Sequence, residues 1–468
     1  MEQPQRDTSR IVLPPASFVH EKEKLQQRWP AAVRYVTDHG LNQFVADGAA
    51  DVGLVVQGGH FNTLLRVLER LGLADVYGRS KLPLYVMNVA YPVIDAEVER
   101  FAQGKRAVLV VEEGQPNFIE QNIATILRAA GSGAALHGKD LLPAAGEYTA
   151  AEVLGGVRRF LQRHGVLPAE PATSTPAPTV PVDVATQVQA RPPGFCTGCP
   201  ERPIFTAMKL VERELGPHHV SADIGCHLFS ILPPFNVGNT TMGYGLGAAG
   251  AAALNARGSA KRAISVMGDG GFWHNGLTSG IANAVFNKSD NLTLIVDNSY
   301  TSATGGQDVL SSKAANASRS TGHAIEKAVR GVGVEQVRVV THTYDLAQMK
   351  AALKEALTSK APGPKVIVAQ SECMLNRQRR EKPLQRAAAA RGERVVRERF
   401  GVDPDTCTGD HSCIRLSGCP SLTIKPNPDP LRQDPVTAVI DSCVGCGLCG
   451  ELAHAAVLCP SFYRAQIV

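Results

Sequence analysis

Seven of the eleven cysteines fall after residue 406, and their spacing is written twice. One run reads Cys443-x2-Cys446-x2-Cys449 and is followed by Cys459-Pro460. The other reads Cys407-x2-Asp410-x2-Cys413 and is followed by Cys419-Pro420, the same frame with Asp in the middle position. Three thiolates at this spacing wrap one cubane of iron and sulfide, whereas zinc favours pairs of ligands separated by a longer loop. The tail is therefore expected to be an iron-sulfur module. The wider gaps before Cys419 and Cys459 call for longer loops than a compact module of this kind uses.

Where two such frames share one module, the Cys-Pro of each half ligates the cluster of the other. This assigns Cys419, Cys443, Cys446 and Cys449 to one site, and Cys407, Asp410, Cys413 and Cys459 to a second. A carboxylate is a harder and weaker partner for cluster iron than a thiolate, so the second site is the one expected to convert between four-iron and three-iron forms. Asp410 then admits an exogenous ligand, tunes the potential, or stands as a non-ligand beside a permanent three-iron cluster.

With 468 residues the chain exceeds one ordinary core, and two large domains plus a smaller one are expected. A formal charge of +5 is close to balance and argues for neither nucleic acid nor a membrane surface. The Arg-rich stretch from 377 to 399 has no interleaved aromatic before Phe400 and is interrupted by Glu381, Glu393 and Glu398, so it reads as a solvated connecting helix. No stretch reaches the roughly 20 apolar residues that span a bilayer. The opening MEQPQRDTSR lacks the apolar core of a signal peptide, so a cytoplasmic protein with reduced thiols is expected.

Residues 10–165 alternate apolar β-rich runs with helical patterns, as in DVGLVVQGG, NTLLRVLERLGL, LPLYVMNVAYP and RAVLVVEEG, and predict a small α/β domain. The Pro/Ala-rich stretch 166–193 predicts an extended linker. Alternation returns over 194–374, where AISVMGDGGF and LTLIVDNS mark strand-to-loop transitions, so a second, doubly wound α/β domain is expected. A basic helical connector, 375–400, leads to the cysteine-rich module at 401–468.

In the second domain Gly268-Asp269-Gly270 follows the apolar run AISVM, and Asn298 closes the next run, LTLIVDN. A glycine-lined turn lets backbone amides approach a phosphate, and Asp269 and Asn298 offer hard oxygen ligands suited to Mg²⁺. The carbonyl of Tyr300 is the third candidate ligand. Both oxygens stand at the C-terminal ends of strands, where ligands bind in open parallel sheets. The glycine-rich stretch 243–256 predicts a small-residue helix packed closely beneath the site, or an ordinary tight helix contact.

CTGCPERP at 196–203, SADIGC at 221–226, MGDGGFWHNG at 267–276 and DNSYTSATGGQ at 297–307, taken together with the tail, resemble the 2-oxoacid:ferredoxin oxidoreductases, most nearly the indolepyruvate ferredoxin oxidoreductases among them. The resemblance implies a thiamine-diphosphate-binding domain over 194–374. VVQGGHFNTLLRVLERLGL, AYPV and LVVEEGQP imply a transketolase C-terminal-type domain over 10–165, and the tail implies a two-cluster ferredoxin-like module. Members with a cluster near the thiamine ring ligate it with a CxxC, a cysteine some 25 to 30 residues on, and one late in the domain. Cys196, Cys199, Cys226 and Cys373 match that arrangement and are all the cysteines outside the tail. Their alternative is that Cys226 and Cys373 are small buried residues. Ala303 stands where related pyruvate enzymes place an Asn shortly before TGGQ.

By the same resemblance the chain takes part in oxidative decarboxylation of a 2-oxoacid, indolepyruvate or another arylpyruvate, to an acyl-CoA. Thiamine diphosphate, Mg²⁺ and two or three 4Fe-4S clusters would be its cofactors, and ferredoxin, coenzyme A and the 2-oxoacid its partners. An oligomer is implied as well. No segment resembles the family's pyrimidine-holding domain with its activating glutamate, so a partner chain or further domain is expected to supply it. His274, just past the glycine turn, is the candidate for proton transfer or substrate polarisation, or else a structural residue. Two other readings stand beside this one: an electron-transfer subunit with a degenerate thiamine fold, and a non-redox thiamine-dependent decarboxylase.

Overall fold

Continuous runs of Val, Ile and Leu flanked by helical segments build strands that are buried on both faces, and this is what the chain does twice. The computed structural model describes residues 5–46, 50–168, 193–255, 261–314 and 316–468. It divides into two compact units, Met1–Asp183 and Val184–Val468. Except for 166–168 and 193, the stretch expected as a linker lies outside the described residues.

In the first unit five strands, β1 (Gln43–Val45), β2 (Val52–Gln57), β3 (Leu84–Met87), β4 (Ala107–Val111) and β5 (Ala135–His137), form one sheet in the order β1-β3-β2-β4-β5. β1 runs antiparallel to β3, and the other pairs are parallel. The helix Phe61–Arg70 buries Leu64, Val67 and Leu68 against one face, the i, i+3, i+4 spacing of an amphipathic helix. The helix Phe118–Ala129 buries Ile119, Ile123 and Leu127 against the other.

The second unit is built on six parallel strands, β6 (Val220–Ala222), β7 (Thr240–Thr241), β8 (Ile264–Gly268), β9 (Leu292–Asp297), β10 (Gln336–Val340) and β11 (Lys365–Gln370), in the order β10-β11-β9-β8-β6-β7. Val266, Leu294 and Ile367 fill one face, and Met267, Ile295, Val366 and Val368 the other. The order places β6, β8, β9 and β11 side by side, so the loops leaving their C-terminal ends share one edge. The glycine-rich stretch forms the helix Gly247–Asn255 beneath that edge. Gly245, at φ +78°, introduces it: a Cβ there would stand 2.6 Å from the Gly271 carbonyl oxygen and 2.8 Å from the Gly276 nitrogen. Only glycine tolerates both the backbone conformation and the approach.

After β11 the helix Met374–Ala390 carries most of the basic stretch, and Arg397 opens β12 (Arg397–Val402). The tail continues as helix Ser412–Ser417, β13 (Leu422–Lys425), β14 (Val436–Val439), helix Leu448–Val457 and β15 (Phe462–Ile467). β12 pairs antiparallel with β15 and β13 with β14, which makes two halves of strand, helix, strand facing each other. Its apolar interior is small, and Cys407, Cys413 and Cys449 are a large part of it beside Leu422, Val436 and Ala453. So small a core needs cross-links or metal to hold it. No helix among the described residues is long and apolar enough to cross a membrane.

Candidate functional site

Parallel strands release their chains at one edge, and each of the four central ones delivers a chemically useful side chain there. Asp223 follows β6, Asp269 follows β8, Asn298 follows β9, and Cys373 stands three residues beyond β11. Asp269 and Asn298 line a cavity of about 330 Å³ whose wall also includes Gly268, Gly270, Gly271 and Tyr300 to Thr304. Glycine is needed on this wall, since a Cβ on Gly270 would meet the Tyr244 hydroxyl at 2.3 Å. Ala303 lines the cavity and presents only a methyl group to it.

Asp269 is 1% exposed. Its Oδ1 accepts from the Gly270 N–H at 2.8 Å and its Oδ2 from the Tyr300 N–H at 3.1 Å. Burial pushes its pKa well above the usual carboxylate range, and the neighbouring charge of Asp297 adds to that. Asn298 Oδ1 accepts from Ser302 Oγ at 2.9 Å, and the Tyr300 carbonyl accepts from the same hydroxyl at 3.2 Å. A buried carboxylate held only by backbone donors, beside an amide and a carbonyl oxygen, is a donor set that fits a hard divalent cation and through it a diphosphate. No cationic side chain pairs with Asp269 among the described residues.

Three buried ionisable groups that motif spacing alone did not single out as site residues meet here, Glu201 and His227 in the lining of the same cavity and Asp223 bonded to His227. His227 Nε2 is hydrogen-bonded to the Asp223 carbonyl at 3.0 Å and lies 2.6 Å from Asp223 Oδ1, while Asp223 Oδ2 accepts from the Gly245 N–H at 2.8 Å. Burial works against the charge on His227, but Asp223 and then Glu201 outweigh it and raise its pKa. Glu201 is 3% exposed, its Oε2 has no hydrogen-bond partner, and burial pushes its pKa up to about 7 despite the opposing effect of His227. Asp223 was discoverable by the rule that found Asp269, since both end a strand of the same sheet. Glu201 and His227 come from a helix start and a short turn and had no such signal.

The Glu201 carboxyl gives a directional test. A raised folded-state pKa means that its contribution is present in full in acid and is lost as pH rises through about 7. Glu201→Gln is therefore expected to leave the stability of the metal-free protein unchanged at about pH 3.5, below the ordinary value of 4.5, and to increase it at pH 8 by about 3 kcal/mol, the worth of its displacement from the ordinary range. Denaturant unfolding at the two pH values reads this, and equal effects at both would show that Glu201 does not titrate in this window.

His274 is exposed, with its ring 5.2 Å from that of Tyr244, and it lies outside the cavity wall, where the imidazole is that of His227.

The eleven cysteines are all free. Cys196 and Cys199 sit in the turn before helix Glu201–Leu215, and Cys226 is on the cavity wall beside His227. Electrostatic interactions join Cys196 to Cys373, Cys199 to Cys226, and Cys226 to both Cys373 and Cys196. In the tail Cys449 interacts with Cys419, Cys446 and Cys443, and Cys413 with Cys459 and Cys407. Burial raises every one of these thiols for which a shift is resolved, and pushes Cys226 up to about 12. Asp410 is exposed, and its Oδ1 accepts from the Ser412 N–H at 2.8 Å. Among the described residues no three His, Cys, Asp or Glu side chains converge tightly enough for a single metal ion. Three groups of soft thiols, crowded and free of disulfides, are a donor chemistry that fits iron-sulfur clusters.

Residues 223–369 match the family model described as thiamine pyrophosphate enzyme, C-terminal TPP binding domain. That span opens on Asp223 and contains Asp269 and Asn298. The chain is 29% identical over 424 residues to the indolepyruvate oxidoreductase subunit IorA of Pyrococcus abyssi (strain GE5 / Orsay), covering 86% of this chain and 59% of that one. It is 29% identical over 469 residues to the subunit of the same name from Archaeoglobus fulgidus, covering 96% of this chain and 67% of that one. A solved 2-oxoglutarate:ferredoxin oxidoreductase from Magnetococcus marinus aligns at 19% identity and a TM-score of 0.33 over 40% of this chain and 66% of that one. The likeness read from the motifs is thus borne out over most of the chain. The chain spans about 59% of the length of the first of these relatives.

Proposed function

We propose that this chain, a relative of the IorA subunits of indolepyruvate oxidoreductase, supplies the diphosphate-holding and electron-transferring parts of a thiamine-diphosphate-dependent 2-oxoacid:ferredoxin oxidoreductase, acting on indolepyruvate or another arylpyruvate. The observation that carries this reading is the shared edge of the six-stranded sheet, where Asp269 and Asn298 stand on the same cavity wall as Cys226. A cofactor held there would lie against a thiol-rich route to the tail.

Thiamine diphosphate, when bound, supplies the electron sink that lets a 2-oxoacid lose CO₂, and iron-sulfur clusters accept the two electrons singly. The chain's own residues do the placing. Asp269, Asn298 and the Tyr300 carbonyl would hold Mg²⁺ and with it the diphosphate, while the amides of the Gly268–Gly271 turn approach the phosphate oxygens. The 2-oxoacid and coenzyme A would yield an acyl-CoA, CO₂ and one proton, with two electrons passed to two molecules of oxidised ferredoxin. Glu201 can hold or release a proton near neutrality at an oxygen that has no other partner. Cys196, Cys199, Cys226 and Cys373 would hold one cluster, Cys419, Cys443, Cys446 and Cys449 a second, and Cys407, Cys413 and Cys459, with Asp410 or without it, a third. The group that activates the thiamine pyrimidine is expected from a partner chain or further domain, in a cytoplasmic, reducing setting.

Anaerobically purified chain should contain iron, acid-labile sulfide and one thiamine diphosphate, and should reduce a viologen dye in the presence of indolepyruvate and coenzyme A only when the partner is added. Cofactor binding without iron would favour a non-redox thiamine enzyme. Iron without cofactor binding would leave an electron-transfer subunit. Full turnover by the chain alone would show that the activating group lies within it.

A further inference from the structure

Among the described residues Arg202 is the largest fully buried side chain, at 0% exposed, and it is a cation. It lies three residues after Cys199 on helix Glu201–Leu215. Its Nη1 donates to the Ser417 carbonyl at 3.1 Å, two residues before Cys419, while Nε and Nη2 have no acceptor. No carboxylate forms an ion pair with it among the described residues. The sulfurs whose ionisation its charge would favour are Cys419, within hydrogen-bonding approach, and Cys446 from the tail, and Cys199 from the cavity side. The contact that places it there is built: Thr206 Oγ1 on the same helix donates to the Leu416 carbonyl at 2.8 Å, and Thr197 and Ser421 meet at 3.2 Å.

A buried guanidinium with two unmet donor nitrogens costs several kcal/mol unless a negative partner completes it. Between two sets of thiols, that partner is the anionic sulfur of a cluster, and the N–H groups left without an acceptor are those free to donate to it. Resting on the function proposed above, we infer that Arg202 is a positioning residue for electron transfer: its buried guanidinium sets the potential of the cluster on Cys419, Cys443, Cys446 and Cys449 above that of the cluster on Cys196, Cys199, Cys226 and Cys373. The physical reason is that a fixed positive charge and hydrogen bonds to sulfur favour the more negative, reduced form of a cluster. Arg202 faces the tail cluster through two of its ligands, Cys419 and Cys446, against one neighbour, Cys199, on the other side. Each transfer oxidises the cavity-side cluster by one electron and reduces the tail cluster by one, with no proton required. The electrons enter from the 2-oxoacid and leave to a low-potential carrier protein.

The test is a dithionite redox titration of the full chain followed by electron paramagnetic resonance, with the tail signal assigned by its loss in Cys446→Ser. Arg202→Gln removes the charge and should lower the reduced-to-oxidised ratio of that cluster at least tenfold at a fixed potential, a downward shift of about 59 mV for one electron. Arg202→Lys keeps the charge but loses the fork, and should lower the ratio about threefold. If Arg202→Gln fails to retain iron, the reading is taken from Arg202→Lys alone. A wild-type ratio in the variants that hold the cluster overturns the inference and leaves Arg202 as a docking residue. Wild-type protein that binds no iron would instead overturn the proposed function.

Discussion

Asp269→Ala is expected to abolish thiamine-diphosphate binding, by at least a hundredfold in affinity, while the iron content of the chain stays as in the wild type. Asp269 is the one carboxylate at the end of β8, and both of its oxygens are already positioned by the Gly270 and Tyr300 amides. Nothing else on that wall replaces it: Asn298 contributes a neutral oxygen engaged by Ser302, and Thr301 and Thr304 offer hydroxyls. Removing the charge leaves Mg²⁺ without its strongest protein ligand, and a loss of about 3 kcal/mol or more corresponds to the hundredfold change. Quenching of intrinsic fluorescence on cofactor titration measures it, with iron assay as the control. Retained affinity would move the diphosphate site elsewhere. A joint loss of cofactor and iron would show that the variant had unfolded.

Cys226→Ser should remove about four iron atoms and as many sulfides per chain, the content of one cubane, and leave the rest in place. Cys226 belongs to the cavity and to the cysteine group at once: it lies on the wall with His227, and its thiol interacts with Cys196 and Cys373. A serine hydroxyl is a poorer partner for iron than a thiolate, and the site has no spare cysteine, because the remaining seven all lie in the tail. Turnover with the partner present should fall at least a hundredfold, since electrons would lose their first acceptor. Unchanged iron with unchanged turnover would place Cys226 as a packing residue and route electrons directly to the tail.

The residues legible in the sequence share one property, which is that their partners are near in the chain. Cys443, Cys446 and Cys449 are recognisable because three donors within seven residues travel together whatever the rest of the molecule does. Gly268, Asp269 and Gly270 are recognisable because a strand, a tight turn and a carboxylate are consecutive. The α/β character was equally accessible, since AISVM and LTLIVD are strands of a sheet covered on both faces. Glu201, Asp223, His227 and Arg202 were not picked out, because what distinguishes them is not their type or spacing. Glu201 and Arg202 look like the exposed start of an ordinary amphipathic helix, and become unusual only once the helix start is buried beneath the tail and the cavity.

By itself the sequence determined the donors: which oxygens and which sulfurs are available, in what local spacing, and at the ends of which strands. Tertiary structure decided which of them share an environment. Strand order put the ends of β6, β8, β9 and β11 on one edge, and so joined Asp223, Asp269, Asn298 and Cys373 across 150 residues of chain. Docking of Leu416 and Ser417 onto Thr206 and Arg202 brought the tail cysteines toward Cys199. Local spacing is set by bond lengths and turn geometry and is written in the chain, whereas burial, and the pKa shifts and unpaired charge that follow from it, depends on desolvation by segments that are remote in sequence.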